Sequence, residues 1–182
     1  MFEYLEQDYR RYSSGSGNLW RYLYRGISHA GFRAVMFYRL GYWFKQRNMD
    51  FLAGMCERLM HHLCHCWISV SAEIGPGFYI AHVGAIGIAV GARIGKNCDI
   101  RRNCSIGGNF SKERDGRFTP WIGDNVSIGV NAVITGPVRV GSNSIVGANS
   151  VVNRDVPENV IVLGVPAKVI KERWPPDSQR RL

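Results

Sequence analysis

Four groups of residues in this 182-residue chain are of types that could do chemistry. His82 stands alone in the segment Ala81-His82-Val83-Gly84-Ala85-Ile86-Gly87. Imidazole titrates near neutral pH, so it suits a base that takes the proton from an attacking hydroxyl; a lone histidine serves equally as a surface or interface side chain. Arg101 and Arg102 offer two guanidinium groups for an anionic ligand, such as a uronic acid or a diphosphate-linked sugar, with surface charge as the plainer reading. Asn103 follows them as a side-chain donor for a developing oxyanion, and a backbone N–H could fill that role as well. The run His61-His62-Leu63-Cys64-His65-Cys66 carries metal-ligand residue types, but no second ligand pair follows at a suitable distance, so no metal is expected. Five cysteines without CxxC spacing give no disulfide framework, and Cys98 and Cys104 read as small buried residues.

The element that must position these groups is a six-residue repeat. Ile68, Ile74 and Ile80 keep one beat, and after a two-residue slip Ile88, Ile94, Ile100 and Ile106 keep it again. It resumes at Ile122, Ile128, Ile134, Val140, Val146 and Val152. Small residues recur four positions after the marker, as at Ala72, Ala92, Cys98, Cys104, Ala132, Ser144 and Ser150. Neither a helical nor a simple strand period gives this pattern; hexads mark a parallel β-helix, in which three short strands make one triangular coil and stacked coils share an apolar column. The slip forces the backbone to bulge around His82. The polar stretch Gly108 to Trp121 must loop out of a coil, and long loops inside compact repeats usually serve function.

Residues 1–66 read as a helical segment ahead of a β-helix over 67–182. Phe32, Met36, Leu40 and Trp43 fall on one helical stripe, and Met49 to Cys66 can form another helix. These helices pack on the first coil or on neighbouring subunits; alternatively, the aromatic and arginine-rich stretch 18–48, with Phe32 and Arg39 among its members, lies on an anionic membrane. The tail 171–182 should be mobile at its end. The start lacks the order of a secretory signal, and charged residues interrupt every apolar stretch, so cytoplasm is the expectation. A formal charge of +9 admits an anionic cofactor, a membrane surface or nucleic acid, and no nucleic-acid-binding motif accompanies it.

The run HAGFRAVMFYRLGYWF at residues 29–44, then IGPGFYIAHVGAIGIAVGARIG, CSIGGN and GVPAKVI, resembles bacterial serine acetyltransferases of the hexapeptide-repeat superfamily. Within it the chain looks most like the serine-acetyltransferase-like enzymes of exopolysaccharide clusters, such as the colanic acid acetyltransferases. The resemblance covers about residues 18–172. It implies a mainly β fold, a left-handed parallel β-helix with an N-terminal α-helical segment; general crossover rules would have favoured the opposite hand. It also implies a homotrimer with active sites between subunits, and acetyl-CoA as donor.

Residue by residue, the family's catalytic histidine falls on His82, and backbone contacts to the CoA arm fall on Gly108, Val130 and Ala148. The lysine of the closing motif falls on Lys168, near Lys171 and Arg173, which could meet CoA phosphates. The departures are Trp67 for the aspartate that partners the histidine, Ala81 for the acid before it, and Phe118 and Thr119 for an Arg-His pair in the substrate loop. They suggest an open, aromatic-walled cleft. The expectation is therefore O-acetylation of a free or lipid-linked saccharide for exopolysaccharide or capsule, by direct transfer, in the cytoplasm or at the inner face of the membrane. Serine O-acetylation for cysteine synthesis is the alternative, and a non-catalytic β-helix scaffold the second.

Overall fold

The computed structural model describes residues 2–13 and 17–173, so most of the tail whose mobility the sequence suggests lies outside the described residues. Four helices come first: α1 (Phe2–Arg10), α2 (Leu19–Ser28), α3 (Ala30–Lys45) and α4 (Asp50–Cys64). The first coil follows as β1 (Cys66–Ile68), β2 (Glu73–Ile74) and β3 (Tyr79–Ile80). The second is β4 (Ile86–Ile88), β5 (Arg93–Ile94) and β6 (Asp99–Ile100). The third is β7 (Ser105–Gly107), β8 (Trp121–Ile122) and β9 (Ser127–Ile128), and the fourth β10 (Val133–Thr135), β11 (Arg139–Val140) and β12 (Ile145–Val146). β13 (Val151–Val152), β14 (Val160–Leu163) and β15 (Lys168–Glu172) close the stack.

Equivalent strands of successive coils pair in parallel, which gives three sheets: β1-β4-β7-β10-β13, β2-β5-β8-β11 and β3-β6-β9-β12-β14, with β15 antiparallel on the last. Ile68, Ile88, Ile106, Ile134 and Val152 stand in register along the first sheet, all of them buried. The small residues four positions on, from Ala72 to Ser150, are buried as well. They fill the corners, where a larger side chain would not fit inside the triangle. Close stacking also fixes some glycines: a Cβ on Gly95 would lie 2.7 Å from the carbonyl carbon of Gly123 in the next coil.

A second six-residue signal accompanies the first. Asn97, Asn103, Asn125, Asn131, Asn143, Asn149 and Asn159 all adopt left-handed backbone conformations, with φ between 55° and 60°. Asparagine tolerates this region because its short polar side chain bonds locally. Several also ladder between coils: Asn131 Nδ2 donates to Asn149 Oδ1 at 3.0 Å, and Asn125 Nδ2 to Asn143 Oδ1 at 2.9 Å. Asn131→Ala should therefore lower stability by about 1–2 kcal/mol, and Asn131→Gly by less, because glycine adopts this φ without strain. Urea midpoints of the two variants check this; equal losses would mean that the ladder bond, not the backbone, sets the cost.

The helices cap the first coil. Residues of α3 and α4 (Ala34, Val35, Tyr38, Met60, Cys64) share one core with the column. The single stripe Phe32-Met36-Leu40-Trp43 needs correction. α3 packs against α1, α2, α4 and the first coil, so its buried residues (Gly31, Phe32, Ala34, Val35, Tyr38, Arg39, Gly41) surround much of the helix, and Met36, Leu40 and Trp43 are only half-buried. Phe32 and Arg39 are thereby removed from any membrane-facing surface.

Side chains from these helices also satisfy the backbone of the open first coil. Tyr38 Oη donates to Ala72 O at 2.7 Å and accepts from Ile74 N at 3.1 Å. Tyr12 Oη accepts from Ile80 N at 2.6 Å, and Glu57 accepts from Val70 N at 2.7 Å.

Candidate functional site

Each coil passes from the third sheet back to the first along one edge of the prism, here called the return edge. His82 sits on it, exposed, between β3 and β4. Seven residues separate the inward Ile80 and Ile88, against five between Ile100 and Ile106. The excess is absorbed by left-handed geometry at Gly84 (φ 121°) and Ala85 (φ 48°). The next corners stack on it through backbone bonds: Asn103 N to Gly84 O (2.8 Å), Asn131 N to Arg102 O (3.2 Å) and Asn149 N to Val130 O (2.9 Å). The Gly164–Ala167 turn closes this edge, with Ala167 N bonded to Val151 O at 2.8 Å, and Lys168 follows.

The structure thus brings His82, Arg101, Arg102, Asn103, Val130, Ala148 and Lys168 to one edge. At the usual strand spacing, the four coils from His82 to Ala148 span about 15 Å. Arg102, Asn103, Ala148 and Lys168 are exposed, and Arg101 and Val130 half-buried. Among the described residues no side-chain hydrogen bond holds His82. Its electrostatic neighbour His29, at the start of α3, has a buried Nδ1 without a hydrogen-bond partner among the described residues. Burial, then Arg25 and His82, hold the His29 imidazole below its usual range.

Gly108 lies elsewhere. It begins the extruded segment 108–120 at the opposite edge of the first sheet, where it lines an open groove of about 730 Å³ together with Trp67, Glu73, Arg93, Arg117 and Phe118. The extruded segment is tied down: Asn109 N donates to Phe118 O at 2.9 Å, Thr119 Oγ1 to Gly91 O at 2.9 Å, and Arg114 pairs with Asp155 at 2.6 Å.

The groove holds a pair that the sequence reading missed. Arg93 meets Glu73 through Nε at 2.9 Å and through Nη2 at 3.1 Å. Glu73 and Arg93 each precede a marker isoleucine and are directly in register on β2 and β5, which was the available signal.

The sulfur groups are not placed for covalent chemistry. Burial pushes the Cys98 thiol up to about 12 and raises that of Cys104, and their Sγ atoms face the carbonyls of Gly123 (3.1 Å) and Gly129 (2.9 Å). In the 61–66 run the imidazoles of His61, His62 and His65 are exposed, whereas Cys64 and Cys66 are buried, so the ligand types diverge.

The model of bacterial transferase hexapeptide repeats matches residues 119–154. The serine acetyltransferase of Mycobacterium tuberculosis is 34% identical, over 81% of this chain and 63% of its own length. That of Staphylococcus epidermidis is 32% identical, over 80% of this chain and 67% of its own. Among solved structures, a serine acetyltransferase from Brucella abortus strain S19 in complex with coenzyme A superposes with a TM-score of 0.82 at 28% identity, over 94% of this chain and 68% of that one. The chain spans 58–65% of the length of the first curated relatives it matches.

These relatives correct the saccharide expectation. Homologues at 30–34% identity carry the serine acetyltransferase name, and none of these matches points to exopolysaccharide or capsule O-acetylation. The physical reason the expectation failed is in the groove. The expectation rested on the uncharged residues Trp67, Ala81, Phe118 and Thr119; Ala81 lies beside His82 on the return edge, whereas Glu73, Arg93 and Arg117 line the groove together with Trp67, Phe118 and Thr119 and carry both signs.

Proposed function

The chain belongs to the serine acetyltransferase family of hexapeptide-repeat transferases, and from that premise we propose that it transfers an acetyl group from acetyl-CoA to the hydroxyl of serine. The observation that carries the acceptor is the charged groove. Serine is a small zwitterion, and a site that selects it must offer a fixed charge to each end. Glu73 offers one to the ammonium group, and Arg93 with Arg117 offers the other to the carboxylate. Trp67 and Phe118 wall the groove where the family's charged residues would stand.

Acetyl-CoA supplies an acyl group activated as a thioester. The return edge suits its extended arm, with the modest side chains of Val130 and Ala148 along the coils and Lys168 at the closing end for phosphate. His82 takes the proton from the acceptor hydroxyl as that oxygen bonds to the thioester carbonyl carbon, and returns it to the departing thiolate. Asn103 or a backbone N–H on the same edge receives the oxyanion, with Arg101 and Arg102 adding positive potential. Because the thiols are buried, transfer is direct, without an acyl-enzyme. Acetyl-CoA places the reaction in the cytoplasm.

On one chain His82 and the groove lie at opposite edges of the first sheet. A cyclic trimer would bring the His82 edge of one copy to the groove edge of the next. The apolar residues Phe51, Met55, Leu59 and Leu63 on α4, and Trp67 beyond them, are exposed on the single chain and mark a surface for such packing. Light scattering at micromolar concentration should give the mass of three chains. A monomer would leave the groove and His82 unconnected and overturn this arrangement.

The acceptor is tested by mass spectrometry of acetyl-CoA incubated with a panel of serine, homoserine, threonine and free sugars. Serine should be acetylated with kcat/KM of roughly 10⁴ M⁻¹s⁻¹ or more. Arg93→Ala should raise the KM for serine at least about tenfold, since it removes one charge partner and leaves Glu73 unpaired. Acetylation of sugars with serine left untouched would overturn the reading.

A further inference from the structure

The extruded segment 108–120 carries a short hairpin of its own. Arg114 and Arg117 exchange backbone hydrogen bonds at 2.9 and 3.0 Å around the pair Asp115-Gly116. Both tip residues have positive φ, 53° and 72°, the combination of a type I′ turn, for which Asp-Gly is a favoured sequence. An isolated hairpin is at best marginally stable in water, so what holds this one over the coils must come from outside it.

The coils beneath supply the hold. Glu73, Arg93, Trp121 and Arg139 stand in register along β2, β5, β8 and β11, each just before an inward isoleucine or valine. Asp155 extends this outward column, because it precedes Val156, which bridges Val140. Glu73 and Arg93 occupy the groove end. At the other end Arg114 Nη1 donates to Asp155 Oδ2 at 2.6 Å, and Arg139 N donates to Asp155 Oδ1 at 2.9 Å. Arg139 Nη2 donates in turn to Asp115 Oδ2 at 3.1 Å, and its guanidinium lies 5.2 Å from the centre of the Trp121 ring. Two arginines and two aspartates thus close a circuit between hairpin and coil, beyond Trp121 from the groove.

Arg117 connects the two ends. It lines the groove and also a smaller hollow of about 170 Å³ beside Arg114, Asp115 and Arg139. Among the described residues no side-chain hydrogen bond or ion pair holds its guanidinium. Where Arg117 points is therefore set by the hairpin backbone that carries it, and the hairpin is set by the circuit.

We propose that Arg114, Asp115, Arg139 and Asp155 are positioning residues, a latch that holds the hairpin so that Arg117 reaches the acceptor's carboxylate. The inference rests on the groove as the acceptor site. None of the four touches the return edge, so the latch acts on acceptor binding and leaves proton transfer at His82 alone.

The test compares Asp155→Asn, which keeps an oxygen for Arg139 N but loses the charge, with Arg114→Gln, which touches no coil backbone. Each should raise the KM for serine about fivefold, near the most that an exposed ion pair contributes. The values of kcat, KM for acetyl-CoA, melting temperature and oligomeric mass should stay at the parent's. Arg114→Lys should keep most of the affinity. In an Arg117→Ala background Asp155→Asn should add less than about twofold, because the latch works through Arg117. Hydrogen exchange of the Asn109, Arg114 and Arg117 amides should quicken about fivefold in both latch variants, whichever acceptor the enzyme uses. Unchanged exchange, fully additive losses with Arg117→Ala, or a fall in oligomeric mass overturns the latch. Faster exchange in a protein that acetylates another hydroxyl instead of serine would keep the latch, its KM effect then read on that acceptor, and overturn the acceptor reading alone.

Discussion

His82→Ala is expected to lower kcat by at least about 100-fold while acetyl-CoA affinity changes by less than about twofold. The substitution removes the only group on the exposed bulge that can carry a proton near neutral pH, and it leaves Val130, Ala148 and Lys168 untouched along the same edge. An effect confined to the chemical step is the signature of a base. Burst-free steady-state kinetics with a thiol reagent gives kcat, and equilibrium dialysis with CoA gives affinity. A loss of CoA binding equal to the loss of rate would make His82 a docking residue. Near-parental turnover would end its role altogether. His82→Asn serves as the companion, since it keeps a polar side chain at the bulge but cannot accept and return a proton. It should fall as far as alanine.

Much of this arrangement was legible because it is written at a fixed period. The marker isoleucines and valines and the small residues four positions later gave the coils, and the slip at 81–87 and the break at 108–121 gave the two places where side chains leave the beat. The left-handed asparagines keep the same period and were readable too, had turn chemistry been asked of each corner.

The Glu73–Arg93 pair keeps the marker beat, yet the regular spacing did not point to it. Glu73 and Arg93 are twenty residues apart and become a pair only because the slip makes the first coil two residues longer than eighteen. Neither residue stands at a position matched to the family's substrate residues, so a reading confined to those positions passed over both. The helical segment was hidden for another reason. Its stripe was judged by hydrophobicity alone, and an arginine at position 39 looks like a solvent-facing residue until the open end of a solenoid is placed against it.

That open end makes Arg39→Ala the largest expected loss of stability. β2 and β3 belong to the first coil and have no earlier coil to bond with, so their outward N–H and C=O groups need partners from the helices. Arg39 donates to Ile74 O and Gly75 O, both at 2.6 Å, and meets Asp8 at 2.7 and 3.1 Å. Asp8 in turn accepts from Phe78 N at 2.8 Å. Both residues are buried, Asp8 fully and Arg39 to within 3%.

Removing the guanidinium strands a buried carboxylate and two carbonyls together, for a loss of about 3–5 kcal/mol. Asp8→Ala should cost a similar amount. The double variant Asp8→Leu, Arg39→Met separates the pair from its backbone partners. Were the ion pair an isolated one, apolar replacement would be neutral or stabilising. Here it leaves Ile74 O, Gly75 O and Phe78 N without partners, and each unmet group costs about 1–3 kcal/mol. The double variant should therefore remain at least about 2 kcal/mol below the parent in denaturant unfolding at fixed protein concentration. Recovery to parental stability would show that water satisfies those groups, and that apolar packing with the Tyr12, Tyr38 and Glu57 hydrogen bonds is enough to hold the first coil.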